Sequence, residues 1–321
     1  MAALPESPAV RVVDLRRVPV EHLVPVLNDE ISAWRAELDW DLSPSVELVR
    51  RFVGMQALQG FALLEGSRVT GYAYHVCEDG KGLVGGAFVR DRRRATELEH
   101  LLLEAVLEGL WRTPGVRRVE SQLLMLTQPL QRRMPFASWL RVFPRWFLEL
   151  PTRRIAQLPE RRPNRASIEP WMETLQSDAA RLIGKAYQGH IDSQINDQYR
   201  STAGAQRFLT NIVQFPGCGI FFGPGSCVAI DTFTGELCGL CLSSKVAHDV
   251  GHITQVCVAP AHQGTGLGYE LMRRSLISLA EHGCRSVSLT VTAANEAALR
   301  LYESMGFARR RAFAAHIWEM P

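Results

Sequence analysis

The sequence predicts an α/β (α+β) protein made of two similar domains, each a mixed, mostly antiparallel sheet flanked by helices. A chain of 321 residues is long for one domain and suits two of about 150 residues each. A strip rich in proline and arginine, PTRRIAQLPERRPNRA at 151–166, separates two halves whose predicted elements follow the same order. We therefore expect domains at 1–150 and 167–321, with residues 151–166 as a solvated linker.

The first half begins with a strand and two helices and continues as a meander of strands. AVRVVDL is typical of a strand, and helical periodicity covers about 20–38 and 45–58. Strand patterns then run through 60–89, with turns at Gly66–Ser67 and Asp79–Lys81. A helix at 95–112 and the strand VRRVESQLLML complete this half.

The second half repeats this order. A strand at 167–171 and helices at 177–190 and 204–215 precede the strand patterns SCVAID, LCGLCLSSKV and HITQVCVAP. A helix to His282, the strand RSVSLTVT, a helix that Asn295 is suited to cap, and the strand FAAHIWEM follow. Val89 lies 30 positions before Val119, and Val258 lies 29 before Val287. This matching spacing indicates an internal duplication, and two unrelated α+β domains are the alternative.

A glycine-rich turn, PAHQGTGLGYELM at 260–272, directly precedes a predicted helix. Exposed amides at a helix N-terminus bind anions. Tyr269 stands where a P-loop needs lysine, and the G-x-G-x-G spacing with antiparallel strands before it does not fit a dinucleotide site. Of the anion sites considered, a site that holds a diphosphate on backbone amides is the one that still fits. The first half reads RDRRRATELEH at the equivalent point and has no glycine, so we expect no such cradle there.

The segment VCVAPAHQGTGLG resembles the Gcn5-related N-acetyltransferase (GNAT) superfamily, whose signature Q/R-x-x-G-x-G/A is matched from Gln263 to Gly268. A second signature of the superfamily is matched at Asn295, Ala298, Leu301, Tyr302, Gly306 and Phe307. The resemblance covers 167–321 through both signatures and 9–150 by element order alone. It implies a tandem GNAT arrangement with a degenerate N-terminal copy.

The resemblance also implies acetyl-CoA as the acyl-donor cosubstrate, with no metal. The diphosphate would lie on the turn formed by Gln263, Gly264, Thr265, Gly266, Leu267 and Gly268. The pantetheine arm would bind beside the strand residues Val256, Cys257 and Val258, and Asn295 would help to hold it. Tyr302 would protonate the departing thiolate, a role that suits a phenol with a pKa near 10.

Many GNAT members carry a carboxylate on the strand before the glycine turn, where this chain offers His252. We expect His252 on the same face as Val256, as a general base or as a polar residue at a strand end. The polar segment QGHIDSQINDQYR at 188–200 is the predicted acceptor loop, with a solvated helix connector as the alternative. Its predicted substrate-binding residues are His190, Asp192, Asn196 and Tyr199.

Charge and composition exclude several other partners. The net charge of +3 comes from the strip at 151–166, which lacks interleaved aromatic residues, so nucleic-acid binding is not predicted. There is no apolar run near 18 residues and no signal-peptide pattern, so we expect a cytoplasmic protein without a membrane partner. Cys238 and Cys241 are three apart on a predicted strand, which places them on opposite faces and argues against a shared metal site.

The sequence thus predicts an acetyl-CoA-dependent N-acetyltransferase that acts on a primary amine of a small molecule or peptide. The amine would attack the thioester directly, in an active site of the C-terminal domain of a monomer or homodimer. The alternative is a non-catalytic acyl-CoA-binding regulatory module. Tyr302 favours the enzyme, and the missing strand carboxylate leaves the regulatory module open.

Overall fold

The computed structural model describes residues 9–78, 80–163, 165–215 and 217–320. These residues form two compact units that alternate along the chain. The first unit contains residues 9–38, Leu42–Phe143 and the residues from Phe313 onward, and the second contains Asp39–Asp41 and Pro144–Ala312. Each unit therefore includes a segment from the sequence half that we assigned to the other domain. The predicted domain bounds followed the order of the sequence, whereas the units are defined by which strands pair, and sequence order does not determine strand pairing.

The first unit is an antiparallel meander with three helices. β1 pairs with β2, β2 with β3 and β3 with β4, all antiparallel, and β5 lies parallel to β4. The predicted helix at 20–38 has those bounds in the structure. The elements are β1 (Val10–Asp14), α1 (Val20–Leu38), α2 (Ser43–Gly54), β2 (Gln59–Glu65), β3 (Arg68–Glu78), β4 (Lys81–Val89), α3 (Ala95–Trp111) and β5 (Arg118–Ser121). The predicted turn at Asp79–Lys81 begins at a residue outside the described ones.

The second unit repeats this plan with a longer series of elements. They are β6 (Leu140–Pro151), β7 (Ala166–Pro170), α4 (Gln176–Ala186), α5 (Asp192–Ile195), α6 (Thr202–Gln214), β8 (Ile220–Phe221), β9 (Cys227–Asp231), β10 (Leu237–Ala247), β11 (Val250–Val258), α7 (Leu267–Glu281), β12 (Ser286–Thr292), α8 (Glu296–Ser304) and β13 (Ala308–Glu319). Its sheet runs β7-β9-β10-β11-β12-β6, and β11 and β12 are its parallel pair. The last residues of β13 belong to the first unit, where they pair with β5.

Two layers of helices cover the sheet of the second unit. Leu271, Leu276 and Leu279 of α7 are fully buried against β10, β11 and β12. Helices α4 and α6 cover the opposite face, where Ile183 and Leu209 are fully buried. Each such leucine or isoleucine contributes about 1.5–3 kcal/mol through removal from water. Among the helices described, none is both long enough and apolar enough to cross a bilayer.

The parallel strands β11 and β12 separate part of the way along their length. Their pairing ends at Ile253 and Leu289. Beyond that point β11 stays paired with β10 as far as Val258, and β12 stays paired with β6 as far as Thr292. The two strands thus form an opening in the sheet, with one backbone edge of β11 turned toward it. This opening lies next to the turn that starts α7.

The predicted linker is attached to the second unit for part of its length. Arg273 Nε donates to the Leu158 carbonyl at 3.1 Å, and the Tyr269 hydroxyl donates to the Pro159 carbonyl at 3.0 Å. The Arg161 amide donates to Glu270 Oε2 at 3.0 Å. These bonds fix the segment against the first two turns of α7, so it is not a free tether.

The prediction that Cys238 and Cys241 lie on opposite faces is wrong. Leu237 pairs with Ile230 but Gly239 pairs with Ala229, so β10 has a bulge at Cys238 that interrupts the alternation of its side chains. Both cysteines lie in the core beneath α7 as free thiols. Burial raises the pKa of the Cys238 thiol to about 11, which keeps it protonated and inert at neutral pH.

Candidate active site

The glycine turn presents free backbone amides at the start of α7. Gly264 and Gly266 have φ values of +75° and +85°, a conformation that glycine adopts without strain. The amides of residues 264–269 donate to no acceptor in the described chain, and the first bond of the helix runs from the Glu270 amide to the Gly266 carbonyl. These amides and the positive end of the helix dipole together form a cradle for an anion.

Side chains next to the turn hold it in place. His262 Nε2 lies 2.8 Å from Asp231 Oδ2 at the end of β9. The amides of Phe233 and Thr234, which donate to Asp231, lower the pKa of its carboxyl group, so it stays ionised. Thr265 Oγ1 donates to the His262 carbonyl at 2.7 Å. The turn is therefore anchored to the β9–β10 hairpin and preorganised for its ligand.

Gln263 and Gly268, two further predicted cofactor-binding residues, connect the turn to β11. Gln263 Nε2 donates to the Val258 carbonyl at 3.3 Å. A Cβ atom on Gly268 would lie 3.5 Å from Val258 Cγ2 and 3.8 Å from Leu301 Cδ2. Glycine at 268 therefore lets α7, β11 and α8 meet closely beside the opening. Val256 and Val258 both pack toward the α7 side of the sheet.

Tyr302 lies on α8 and is 7% exposed. Its ring meets that of Phe307 at a centroid distance of 6.0 Å. Burial, followed by the charges of Cys241 and Asp192, raises the pKa of Tyr302 above that of a free phenol, and Arg145 opposes the shift. The hydroxyl group therefore keeps its proton at neutral pH, as a general acid requires.

The predicted acceptor loop reaches the end of β12 and the start of α8. His190 Nε2 lies 3.3 Å from Asn295 Nδ2. Asp192 Oδ1 accepts a hydrogen bond from Thr292 Oγ1 and lies 3.6 Å from Arg145 Nη1. Three predicted site residues, His190, Asp192 and Asn295, are thus brought together from segments about a hundred positions apart.

Tyr199, also predicted in this loop, belongs to a second chain of hydrogen bonds. Its hydroxyl donates to Gln255 Oε1 at 3.2 Å, and Gln255 Nε2 donates to the Tyr187 hydroxyl oxygen at 2.8 Å. The two tyrosine rings stack with their centroids 4.4 Å apart. Asn196 instead caps its own loop, because its Oδ1 accepts the Gln198 amide at 3.0 Å. The geometry therefore favours a structural role for Asn196.

The prediction that His252 shares a face with Val256 is wrong. Ser243 pairs with Ile253 and Leu242 with Gln255, so β11 bulges at Thr254 and its side-chain alternation shifts. His252 is buried against Trp40, at a ring centroid distance of 4.9 Å. Burial lowers the pKa of the imidazole to about 3, so it is a weak base at neutral pH.

Four residues of this site were missed in the sequence: Arg145, Tyr187, Gln255 and Thr292. Arg145 lies in the half that we assigned to the other domain, and Tyr187 lies in a predicted helix. A glutamine inside the apolar pattern of β11 was a usable signal for Gln255. Thr292 carried no signal, because threonine is ordinary in a strand.

The equivalent turn in the first unit is filled by side chains. Asp91 Oδ1 accepts the amides of Arg93 and Arg94, at 2.9 and 3.4 Å, just before α3. Farther along α3, the buried Glu99 binds the Arg132 guanidinium, which also donates to the Thr96 carbonyl at 2.7 Å. Two of the amides before α3, those of Arg93 and Arg94, are therefore already bonded to a carboxylate.

Solved structures show the same fold over the whole chain. A GCN5-related N-acetyltransferase from Sphaerobacter thermophilus aligns with a TM-score of 0.67 at 19% identity, covering 99% of this chain and 98% of that one. A tandem GNAT protein from the clavulanic acid biosynthesis pathway aligns with a TM-score of 0.64 at 16% identity, covering 97% and 98%. The predicted fold of two GNAT-like domains is thereby confirmed.

Sequence relatives match a shorter segment. The mycothiol acetyltransferase of Thermobispora bispora is 47% identical over 60 residues, which are 19% of this chain and 20% of that protein. The N-alpha-acetyltransferase MAK3 of Arabidopsis thaliana is 34% identical over 61 residues, 19% of this chain and 32% of its own length. The matched segments thus span about a fifth to a third of these curated relatives.

The family model covers the elements that build the site. Residues 195–307 match the acetyltransferase (GNAT) family, a range that includes β11, the glycine turn, α7, β12 and Tyr302. The predicted resemblance is confirmed. The second unit thus contains a segment, residues 195–307, that matches the GNAT family of acetyltransferases.

Proposed function

We propose that the second unit transfers an acetyl group from acetyl-CoA to a primary amine of a small molecule or peptide. The proposal rests on one arrangement: free amides at 264–269 beside an opening between β11 and β12, with Tyr302 on the adjacent helix. The match of residues 195–307 to the GNAT family and the acetyltransferase names of the relatives support the same activity. In this proposal the first unit is a degenerate copy that supports the second.

The residues present fit acetyl-CoA. The amides of residues 264–268 would bind its diphosphate, because they have no competing acceptor and the helix dipole favours about two negative charges. The exposed backbone edge of β11 from Val256 to Val258 would pair with the amides of the pantetheine arm as an added strand does. Asn295 would contact that arm from the start of α8. The thioester supplies the activated acetyl group.

Tyr302 is the proposed general acid. The neutral amine nitrogen attacks the acetyl carbon directly, and the carbon–sulfur bond breaks. The Tyr302 hydroxyl gives its proton to the sulfur, which leaves as the thiol, and the proton lost from the new amide nitrogen restores the phenol. The raised pKa of Tyr302 keeps the proton on the phenol until negative charge develops on the sulfur.

The polar loop at 188–200 is the proposed acceptor side. Asp192 and Arg145 place opposite charges close together at the end of β12. Such a surface suits an acceptor that carries both an amine and a carbonyl or carboxylate group. Relatives are named mycothiol acetyltransferase and N-alpha-acetyltransferase, so we include amino-sugar conjugates and peptides among the acceptors to test.

Release of free thiol from acetyl-CoA tests the proposal. The full chain is incubated with acetyl-CoA and panels of amino-sugar conjugates, peptides, polyamines and aminoglycosides. We expect acceptor-dependent thiol release and an acetylated amine by mass spectrometry. Absence of transfer on every panel, together with absence of CoA binding, would reject the proposal.

A non-catalytic acyl-CoA-binding regulatory module is the second candidate. The absence of an effective general base on β11 favours this candidate. The strand carries no carboxylate, and its one imidazole, that of His252, is buried and has a lowered pKa. Tight CoA binding without transfer on any panel would support this second function. The regulatory module is distinguished from the enzyme if CoA raises the melting temperature of the chain while no thiol is released in the assay.

A further inference from the structure

The hydrogen bonds of His190 determine where its neutral ring carries the proton. The Asp192 backbone amide donates to His190 Nδ1 at 3.1 Å. An imidazole nitrogen that accepts a hydrogen bond uses its lone pair, so it carries no hydrogen itself. The neutral ring therefore has its proton on Nε2, and Nε2 acts as a donor.

The amide of Asn295 is oriented just as firmly. Its Oδ1 accepts the Ala298 amide at 3.1 Å and caps α8, which turns the NH₂ group toward His190. Nε2 of His190 and Nδ2 of Asn295 lie 3.3 Å apart. Both atoms carry hydrogens, and two donors cannot satisfy each other. An oxygen atom placed beside both nitrogens can accept a hydrogen bond from each.

We infer that His190 and Asn295 form a two-donor site for the amide carbonyl oxygen of a bound ligand. The inference rests on the proposed function, and it gives His190, already a predicted residue of the acceptor loop, the specific role of a donor paired with Asn295. Two ligands could supply the oxygen: the pantetheine arm of CoA or a peptide-like acceptor. The chemistry is the same for both, since each carries secondary amides.

The surroundings of His190 keep its ring in place and accessible. The ring meets the Tyr187 ring edge to face at 5.1 Å. Asp192 Oδ2 lies 3.6 Å from Nδ1, on the side away from Asn295. The His190 side chain is 32% exposed, so a ligand can reach Nε2. A rigid, half-open donor pair loses little conformational freedom when it binds.

Binding measurements with two probes identify the source of the oxygen. CoA carries the pantetheine arm, whereas adenosine 3′,5′-bisphosphate lacks it. His190→Phe removes the donor and keeps a ring against Tyr187. If the arm is the ligand, His190→Phe should weaken CoA binding roughly three- to tenfold, the usual value of one hydrogen bond, and leave the bisphosphate unchanged.

If the acceptor is the ligand, CoA binding stays unchanged and the acceptor KM rises by the same factor. His190→Gln should recover part of either loss, because its amide can donate from near the Nε2 position. The control is His248→Phe, the same substitution at a side chain that is 91% exposed on the β10–β11 turn. Unchanged CoA binding together with an unchanged acceptor KM would overturn the inference.

The tautomer can be measured without any catalysis. Nitrogen-15 NMR of the full chain distinguishes the two neutral forms of each of the nine histidines, and His190→Phe identifies the signal of His190. We expect Nε2 to be protonated and Nδ1 to be bare. A proton on Nδ1 would overturn the inference even in a chain that transfers acetyl groups. A chain with this tautomer that neither transfers acetyl groups nor binds CoA would reject the proposed function alone.

Discussion

Gln255 Nε2 lies 2.8 Å from the Tyr187 hydroxyl oxygen, and this bond depends on the bulge of β11 at Thr254. The bulge places Gln255 on the α4 side of the sheet, where its Oε1 also accepts from Tyr199. One glutamine thereby connects the strand beside the opening to both ends of the predicted acceptor loop. The pairing of β11 with β12 also ends next to this bulge, at Ile253, where the edge that the pantetheine arm is proposed to use begins.

Replacing Gln255 with leucine should destabilise the protein and disturb the acceptor side. The Tyr187 and Tyr199 hydroxyls would both lose their partner, and each buried unsatisfied polar group costs about 1–3 kcal/mol. Two fully buried hydroxyls would together cost about 2–6 kcal/mol, and because both bonds are part-buried we expect the free energy of unfolding in urea to fall by about 2 kcal/mol. Gln263→Leu is the control, because that side chain is exposed and should change stability by less than about 0.5 kcal/mol. Equal effects of the two variants would contradict this role for Gln255.

Gly264→Ala should weaken CoA binding more than it weakens the fold. Gly264 has a φ of +75°, and a Cβ there would meet no atom within 4 Å, so it would project into the space of the proposed diphosphate site. Gly283→Ala is a matched control, with a φ of +86°, no atom within 4 Å and a position at the other end of α7. Both variants should lose about 1–2 kcal/mol of stability from backbone strain.

Only Gly264→Ala should raise the Kd for CoA, and we expect a rise of at least tenfold. Isothermal titration with CoA and urea unfolding measure the two effects separately. If both glycine variants bind CoA like the wild type, the diphosphate lies elsewhere than on this turn.

His252 should make the second unit sensitive to acid. Its pKa falls from about 6.5 in the unfolded chain to about 3 in the fold because burial opposes the charged ring. The unfolded chain therefore binds the proton more readily, and stability is fully present above pH 6.5 and declines as the pH falls toward 3. The loss from this one group is of the order of a few kcal/mol.

Urea unfolding of the wild type and of His252→Phe between pH 4 and pH 8 tests this expectation. The variant should be less stable at pH 8, where it loses the bond to Ser288, and should lose less stability on acidification. His75 and His316 of the first unit also have pKa values lowered by burial, so the wild-type decline contains their contributions as well. Parallel pH profiles for variant and wild type would show that His252 does not titrate as described.

The parts of the site that depend only on residues close together in the sequence could be predicted from it. The glycine turn follows from Gly264 and Gly266, and the cap of α8 follows from Asn295, which the structure confirms. Non-local pairing was not predictable in the same way. The bulge at Thr254 arises from the register between β10 and β11, and it determines which face His252 and Gln255 take. Arg145 joined the site because β6 pairs with β12, a contact between strands about 140 positions apart.

Tyr302→Phe should reduce kcat by about a hundredfold or more, since general acid catalysis contributes about 10²–10⁴ in rate. The ring stays in the apolar surroundings that it shares with Phe307, so CoA should bind within twofold of the wild type. The raised pKa of Tyr302 adds a second expectation: the phenol stays protonated beyond pH 10, so its ionisation should cause no fall in kcat between pH 7 and 10. Tyr74→Phe, in the first unit, controls for loss of a buried hydroxyl. Full activity of Tyr302→Phe in the thiol-release assay would remove this residue as the acid and leave the thiolate to depart unprotonated or through water.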